Sequence, residues 1–409
     1  MASQAEQFSH KDAIQPDATS KASINYSDVL PGNSESLALI RKLDNRTSLA
    51  SINMHDGFKP TVGDPLFVAT TNINDEYDRF KAATDDQKKD ASLLNLVGDI
   101  FIPFKGGSDM ATYRIDSMDK SLAEHEILKE IRLLSPSQRA SLPADLVKQL
   151  SSDPEFSDTT KYAMRTLLSQ QSDRDYSRSA AIIENIGADL NRFQDAVKDQ
   201  GSYTGILGIA ADTVIPLKGA SDMAWYRIQD MNRRTTENSL IKDLRLLSPH
   251  EREQLPNTTT QSLLTNPDFS DSARKQFAQL LSVSQKNDYS VWSSVAQNIQ
   301  SDFGRFKSAV DDQVKDSSLL NVAADAGSLL NDFTFIPGVM KIGSDMATYR
   351  IDELERQRSQ TDMIKQIRGL TKTQRAGLPE ELRTELLSRT DFTDATQSEL
   401  KRLFPSSSG

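Results

Sequence analysis

Four histidines, His10, His55, His125 and His250, are the side chains best able to hold a metal or move a proton near neutral pH. No two of them stand at the helical spacing of a ligand pair, and no histidine metal site is expected. The sequence has no cysteine. Disulfides, thiolate nucleophiles and sulfur-bound metals are therefore excluded together. No serine sits in a nucleophile-elbow motif. The chemistry-bearing residues point away from catalysis: no catalytic group, no cofactor and no metal are expected.

Two recurring patterns remain as sites. Lys105-Gly-Gly-Ser108 and Lys218-Gly-Ala-Ser221 put a lysine and small residues ahead of what reads as a helix N-terminus, a candidate anion cradle. No Gly-Lys-Ser/Thr enters the helix, and the following Asp would repel phosphate, so a tight turn between packed helices is the expected role. Arg114, Arg227 and Arg350 each follow a Tyr and precede an Ile. They are interface candidates for an acidic partner, or else ties that fix helix packing inside the fold. Recurrence favours the second.

These patterns recur because the sequence does. Ser108-Asp-Met-Ala-Thr-Tyr-Arg-Ile-Asp116 returns unchanged at 344–352, and with Trp in place of Thr at 221–228. Arg79-Phe80, Arg192-Phe193 and Arg305-Phe306 keep a 113-residue step, as do Asn72-Ile73, Asn185-Ile186 and Asn298-Ile299. Phe156 and Phe269 keep it too, whereas Phe392 follows Phe269 by 123 residues. The third copy thus carries an insertion of ten. The expected organisation is a flexible arm at 1–61, units at 62–174, 175–287 and 288–404, and a tail at 405–409. The units read as all-α tandem domains in an elongated array.

Each unit is expected to hold about six helices. The first is amphipathic, about 22 residues or 33 Å long, with Ile182, Ile186, Leu190, Phe193 and Val197 on one face. An apolar stretch follows and ends at Ile102-Pro103, Ile215-Pro216 or Ile336-Pro337, where a helix should stop. Ser108, Ser221 and Ser344 then read as N-caps of the signature helix. Its polar middle predicts a bend or break. Ser135-Pro136 and Ser248-Pro249 cap the next helix, and Asp158, Asp271 and Asp394 open the last. In the arm, Leu37, Ile40 and Leu43 fall three apart and predict a short helix over Glu35–Leu43.

A formal charge of −10 disfavours the nucleic-acid backbone as a partner. No run approaches the roughly 20 apolar residues of a membrane span, and Asp99, Asp212 and Asp325 interrupt the apolar stretches, so membrane contact is the minor expectation. There is no secretion signal pattern. The insertion enriches its segment in Leu329, Leu330, Phe333 and Phe335, more apolar surface than one unit needs, and predicts a self-association element.

At Gly98-Asp-Ile-Phe-Ile-Pro-Phe-Lys-Gly-Gly107 and its counterparts the chain resembles internal virion proteins of tailed bacteriophages. The resemblance implies a helical, repetitive protein expelled with the genome, located in the virion and then the host periplasm. It also implies other virion or envelope proteins as partners. The expected function is a non-enzymatic structural protein that forms a homo-oligomeric ring or tube. The alternative is a secreted effector or adaptor whose repeats bind a host protein.

Overall fold

A computed structural model describes residues 65–98, 103–169, 177–210, 216–282, 290–329 and 335–404; the side chains of 90–98, 103–111, 202–210, 216–224, 315–329 and 335–347 are outside it. Among the described residues there are fifteen helices and no strand, as the apolar spacing predicts. They fall into three successive groups of five. The first holds α1 (Pro65–Gly98), α2 (Pro103–Leu133), α3 (Pro136–Ala140), α4 (Ala144–Ser152) and α5 (Asp158–Ser169). The second holds α6 (Arg178–Ala210), α7 (Pro216–Leu246), α8 (Pro249–Glu253), α9 (Asn257–Thr265) and α10 (Asp271–Leu281). The third holds α11 (Val291–Leu329), α12 (Phe335–Gly369), α13 (Lys372–Ala376), α14 (Glu380–Ser388) and α15 (Asp394–Leu403). The arm at 1–61 and the tail lie outside the described residues.

Several local expectations are corrected. There are five helices per group, not six, because the first helix runs on into the apolar stretch. At 34, 33 and 39 residues, α1, α6 and α11 are about 50–58 Å long. The signature helices do not start at Ser108, Ser221 or Ser344. They start at Pro103, Pro216 and Phe335, so the lysine-glycine stretches are helical and not tight turns. Proline suits the first helical position because the N–H it lacks would have no partner there. A glycine inside a helix costs only about 1 kcal/mol, which packing can outweigh. The polar middle of the signature helix does not break, and all three helices are continuous through it. In the third pair, α11 and α12 are five and four residues longer than α1 and α2, so part of the insertion lengthens the helices.

The short helices are set by their caps. Ser135 accepts from the Gln138 N–H while the Gln138 side chain accepts from the Ser135 N–H, and Ser248 with Glu251 repeats this. Thr371 with Gln374 does the same without a proline. The last helix of each group is pinned from the signature helix. The Ser157, Ser270 and Thr393 N–H groups donate to Glu124, Glu237 and Gln360 at 3.1, 2.8 and 3.0 Å. Those three acceptors are buried, and a cap at the helix start satisfies them.

Each group closes its own core. Ile73 and Phe80 of α1 meet Ile127 and Ile131 of α2, with Leu150, Phe156 and Met164 from the short helices. Because the start of α1 packs on the end of α2, the two form an antiparallel hairpin. The phenylalanines of the 113-residue pattern find one another: ring centroids are 4.1 Å apart for Phe80–Phe156 and Phe193–Phe269, and 4.4 Å for Phe306–Phe392.

A fourth core joins the groups. Ile115, Met118 and Leu122 of α2 are buried with Ile228 and Met231 of α7 and with Ile351 and Leu354 of α12. These residues stand at the same steps of the repeat, so the three helices pack in register and parallel. Each touches the other two. An elongated array would keep the first and third groups apart, yet α12 packs against both α2 and α1. Arg358, buried in the third group, donates to the Asp119 carboxylate of the first at 2.7 Å. The groups close on one another because the first part of each signature helix's apolar stripe, Ile115 and its equivalents, is buried against the other two.

Candidate functional site

The most chemically loaded region lies deeper along the same three helices. Lys129, Lys242 and Lys365 project from the last third of α2, α7 and α12. Each reaches an acid on the first helix of another group. Lys129 Nζ is 2.8 Å from Asp189, Lys242 Nζ is 3.2 Å from Asp302, and Lys365 Nζ is 2.8 Å from Glu76. The cycle therefore runs from first group to second, second to third, and third back to first.

Each ammonium also meets an acid on a neighbouring signature helix. Lys129 is 3.0 Å from Asp243 and Lys242 is 2.9 Å from Asp362. Lys365 stands 3.8 Å from Glu126 and 3.7 Å from Glu130. His125 joins the cycle through Nε2, 2.6 Å from Asp189. Outside the lysines lies a second tier. Arg132 and Arg245 donate to Asn185 and Asn298 at 3.3 and 3.1 Å, and Arg368 pairs with Asp75. Asn185 and Asn298, two of the asparagines that mark the repeat in sequence, thus receive the arginine of the preceding group.

Burial sets the electrostatics. It opposes charge on Lys129, but Asp189 and Asp243 outweigh it and hold the ammonium well above its ordinary range. Burial would raise Asp189; Lys129 and His125 hold it below the usual carboxylate range instead. Asp243 goes the other way. Burial pushes it up to about 6, with Lys129 opposing and Asp189 adding to the rise. Burial likewise raises Glu130 against the pull of Lys365.

The sign of the Asp243 effect gives a testable result. The folded protein binds that proton more tightly than the unfolded chain, so its contribution favours folding at low pH and is lost as pH rises from about 4 to 6. In Asp243→Asn that slope should vanish, and chemical denaturation across this window should show the variant gaining on the parent as pH rises. Parallel pH profiles would contradict it.

Beside these groups opens a cavity of about 350 Å³ whose wall draws on all three groups. Its charged lining comprises Glu126, Glu130, Asp243 and Asp362 with the three lysines and Arg178; Val68, Leu133, Trp292, Val295 and Leu370 add apolar surface. The arrangement offers ion pairing and apolar burial. Its lysines are engaged by carboxylates.

The residues singled out from sequence lie elsewhere. Arg114 stacks over Trp225, its guanidinium carbon 5.2 Å from the ring centroid, and Arg227 donates to Thr348 Oγ1. Both contacts join one signature helix to the next rather than acting inside a unit. Arg350 is exposed. Arg227 is exposed as well, so Arg227→Ala should change stability by less than about 1 kcal/mol, read by denaturant titration. A loss of several kcal/mol would contradict this. His250 lies on the surface 3.6 Å from Glu253, while His10 and His55 are outside the described residues. So are Leu330 and Phe333; Leu329 and Phe335 are the terminal residues of α11 and α12, their side chains undescribed.

Among the described residues no cluster of His, Asp and Glu could hold a metal ion, and no helix is long and apolar enough to cross a membrane. The ring was missed in sequence although its signal is there: a lysine at 129, 242 and 365 and an acid at 76, 189 and 302 keep the steps of the repeat. No family of proteins, no curated protein and no solved structure matches this chain.

Proposed function

We propose that this chain is a non-enzymatic structural protein built from three copies of one unit of about 113 residues, closed about a pseudo-threefold axis, and that it self-assembles through one end. The supporting observation is the in-register burial of Ile115, Ile228 and Ile351. Parallel signature helices bring the starts of α2, α7 and α12 to a common end, where the sequence carries its three Ile-Pro apolar stretches. Three apolar stretches carried to one end would offer other copies of the chain a multivalent face to cover.

Within one chain Met118, Leu122 and Met231 are buried together between the signature helices. A ring or tube for DNA or protein passage would form from many chains around a wider lumen. Service as a phage internal virion protein belongs to the same proposal and rests on the sequence resemblance.

Light scattering on the full chain tests the reading, alongside a variant lacking the ten residues from Ala324 to Phe333. The expected result is a discrete large oligomer for the parent and a smaller species for the deletion. A parent that stays monomeric at every concentration would overturn self-assembly and favour the effector or adaptor reading.

A further inference from the structure

The cavity at the junction of the three groups is large enough for two or three bulky side chains, and it sits where the chain enters the fold. Pro65, the first residue of α1, is part of its wall. Sixty-four residues precede Pro65, so this segment joins the described fold at the cavity wall. Tethering at that point gives any matching part of it a high local concentration.

The wall has two characters, and one stretch of the preceding segment matches both. Trp292, Val295, Leu133 and Leu370 offer apolar surface. Glu126 and Glu130 also line the cavity, and their nearest ammonium is pulled away. Lys365 is drawn to Glu76 at 2.8 Å and stands 3.7 Å or more from Glu130 and Glu126. A cationic group on an apolar body would suit both the apolar lining and these two carboxylates. In Glu35–Leu43 the residues Leu37, Ile40 and Leu43 share one helical face, with Arg41 at its edge.

We propose that the segment Glu35–Leu43 docks into this cavity within the same chain. Leu37, Ile40 and Leu43 would lie against the Trp292 side and Arg41 toward Glu130 and Glu126. The arm then acts as an internal plug that links all three groups. Residue 43 is 22 positions from Pro65, which spans up to roughly 70 Å when extended, so reach does not limit the docking.

The absence of cysteine makes the test direct. In the full chain, Ile40→Cys is paired with Val295→Cys on the cavity wall, and as a control with Leu387→Cys, which is exposed on α14. Mild oxidation should give a disulfide within one chain for the first pair and little for the control. Separately, Trp225→Phe leaves Trp292 as the sole indole reporter, and Ile40→Asp in that background should shift its emission to the red. A disulfide between chains would overturn the proposal by assigning the cavity to the arm of a second copy. Equal cross-linking of both pairs, or no cross-link together with unchanged Trp292 emission, would overturn it outright.

Discussion

Lys129→Met should destabilise the fold by about 3–5 kcal/mol, the range found when one partner of a buried ion pair is removed. The Lys129 side chain is nearly fully buried and its ammonium holds three groups, Asp189 at 2.8 Å, Asp243 at 3.0 Å and Ser239 Oγ at 2.6 Å. Methionine keeps most of the apolar stem, so the loss falls on Asp189, left charged and short of its main counterion. Guanidinium denaturation would read the change. A variant with both Lys129→Met and Asp189→Leu should recover much of the loss, because neither charge is then stranded. If Lys129→Met alone melts like the parent, water reaches the ring and it does not hold the groups together.

The second large effect is in a group core. Phe193→Ala should cost about 3–5 kcal/mol, from lost burial and the void it leaves. Phe193 is fully buried and stacks 4.1 Å from Phe269, which in turn meets Phe277 edge-on at 4.9 Å. Tyr162→Ala is the matching surface control, since that ring is 75% exposed and should change stability little. Phe80 and Phe306, the equivalent positions, should behave like Phe193. A markedly smaller effect at one of them would show that its group is held mainly by its neighbours.

Much of this was legible in the chain. The Phe80 and Phe156 positions announce themselves through the 113-residue step and prove to be a stacked pair. Ser135 and Ser248 read correctly as caps because a hydroxyl followed by proline has few other uses. The starts of the signature helices were misread for a physical reason. Gly-Gly-Ser108 looks like a turn and a cap when judged locally, but it lies inside a 31-residue helix, where context overrides weak propensity.

Closure was the hardest feature to see. A repeat is compatible with a line or with a cycle, and nothing in local spacing separates them. Lys129, Lys242 and Lys365 sit on helices that also carry many exposed charges, so each reads as a solvated residue. Only their shared step, set against the acids at 76, 189 and 302, hints that they belong to one cycle. The cavity was invisible because its wall comes from three groups far apart in sequence.

The central claim is that the third group closes back onto the first, and the most direct test is a double-mutant cycle between Lys365 and Glu76. These residues belong to opposite ends of the described chain, and their charges are 2.8 Å apart. Lys365→Met, Glu76→Gln and the double variant would be measured by denaturation at a concentration where light scattering shows one chain per particle. Closure predicts a coupling of about 1–3 kcal/mol between the two positions. Additive effects, within about 0.5 kcal/mol, would contradict it and return the three groups to an open array.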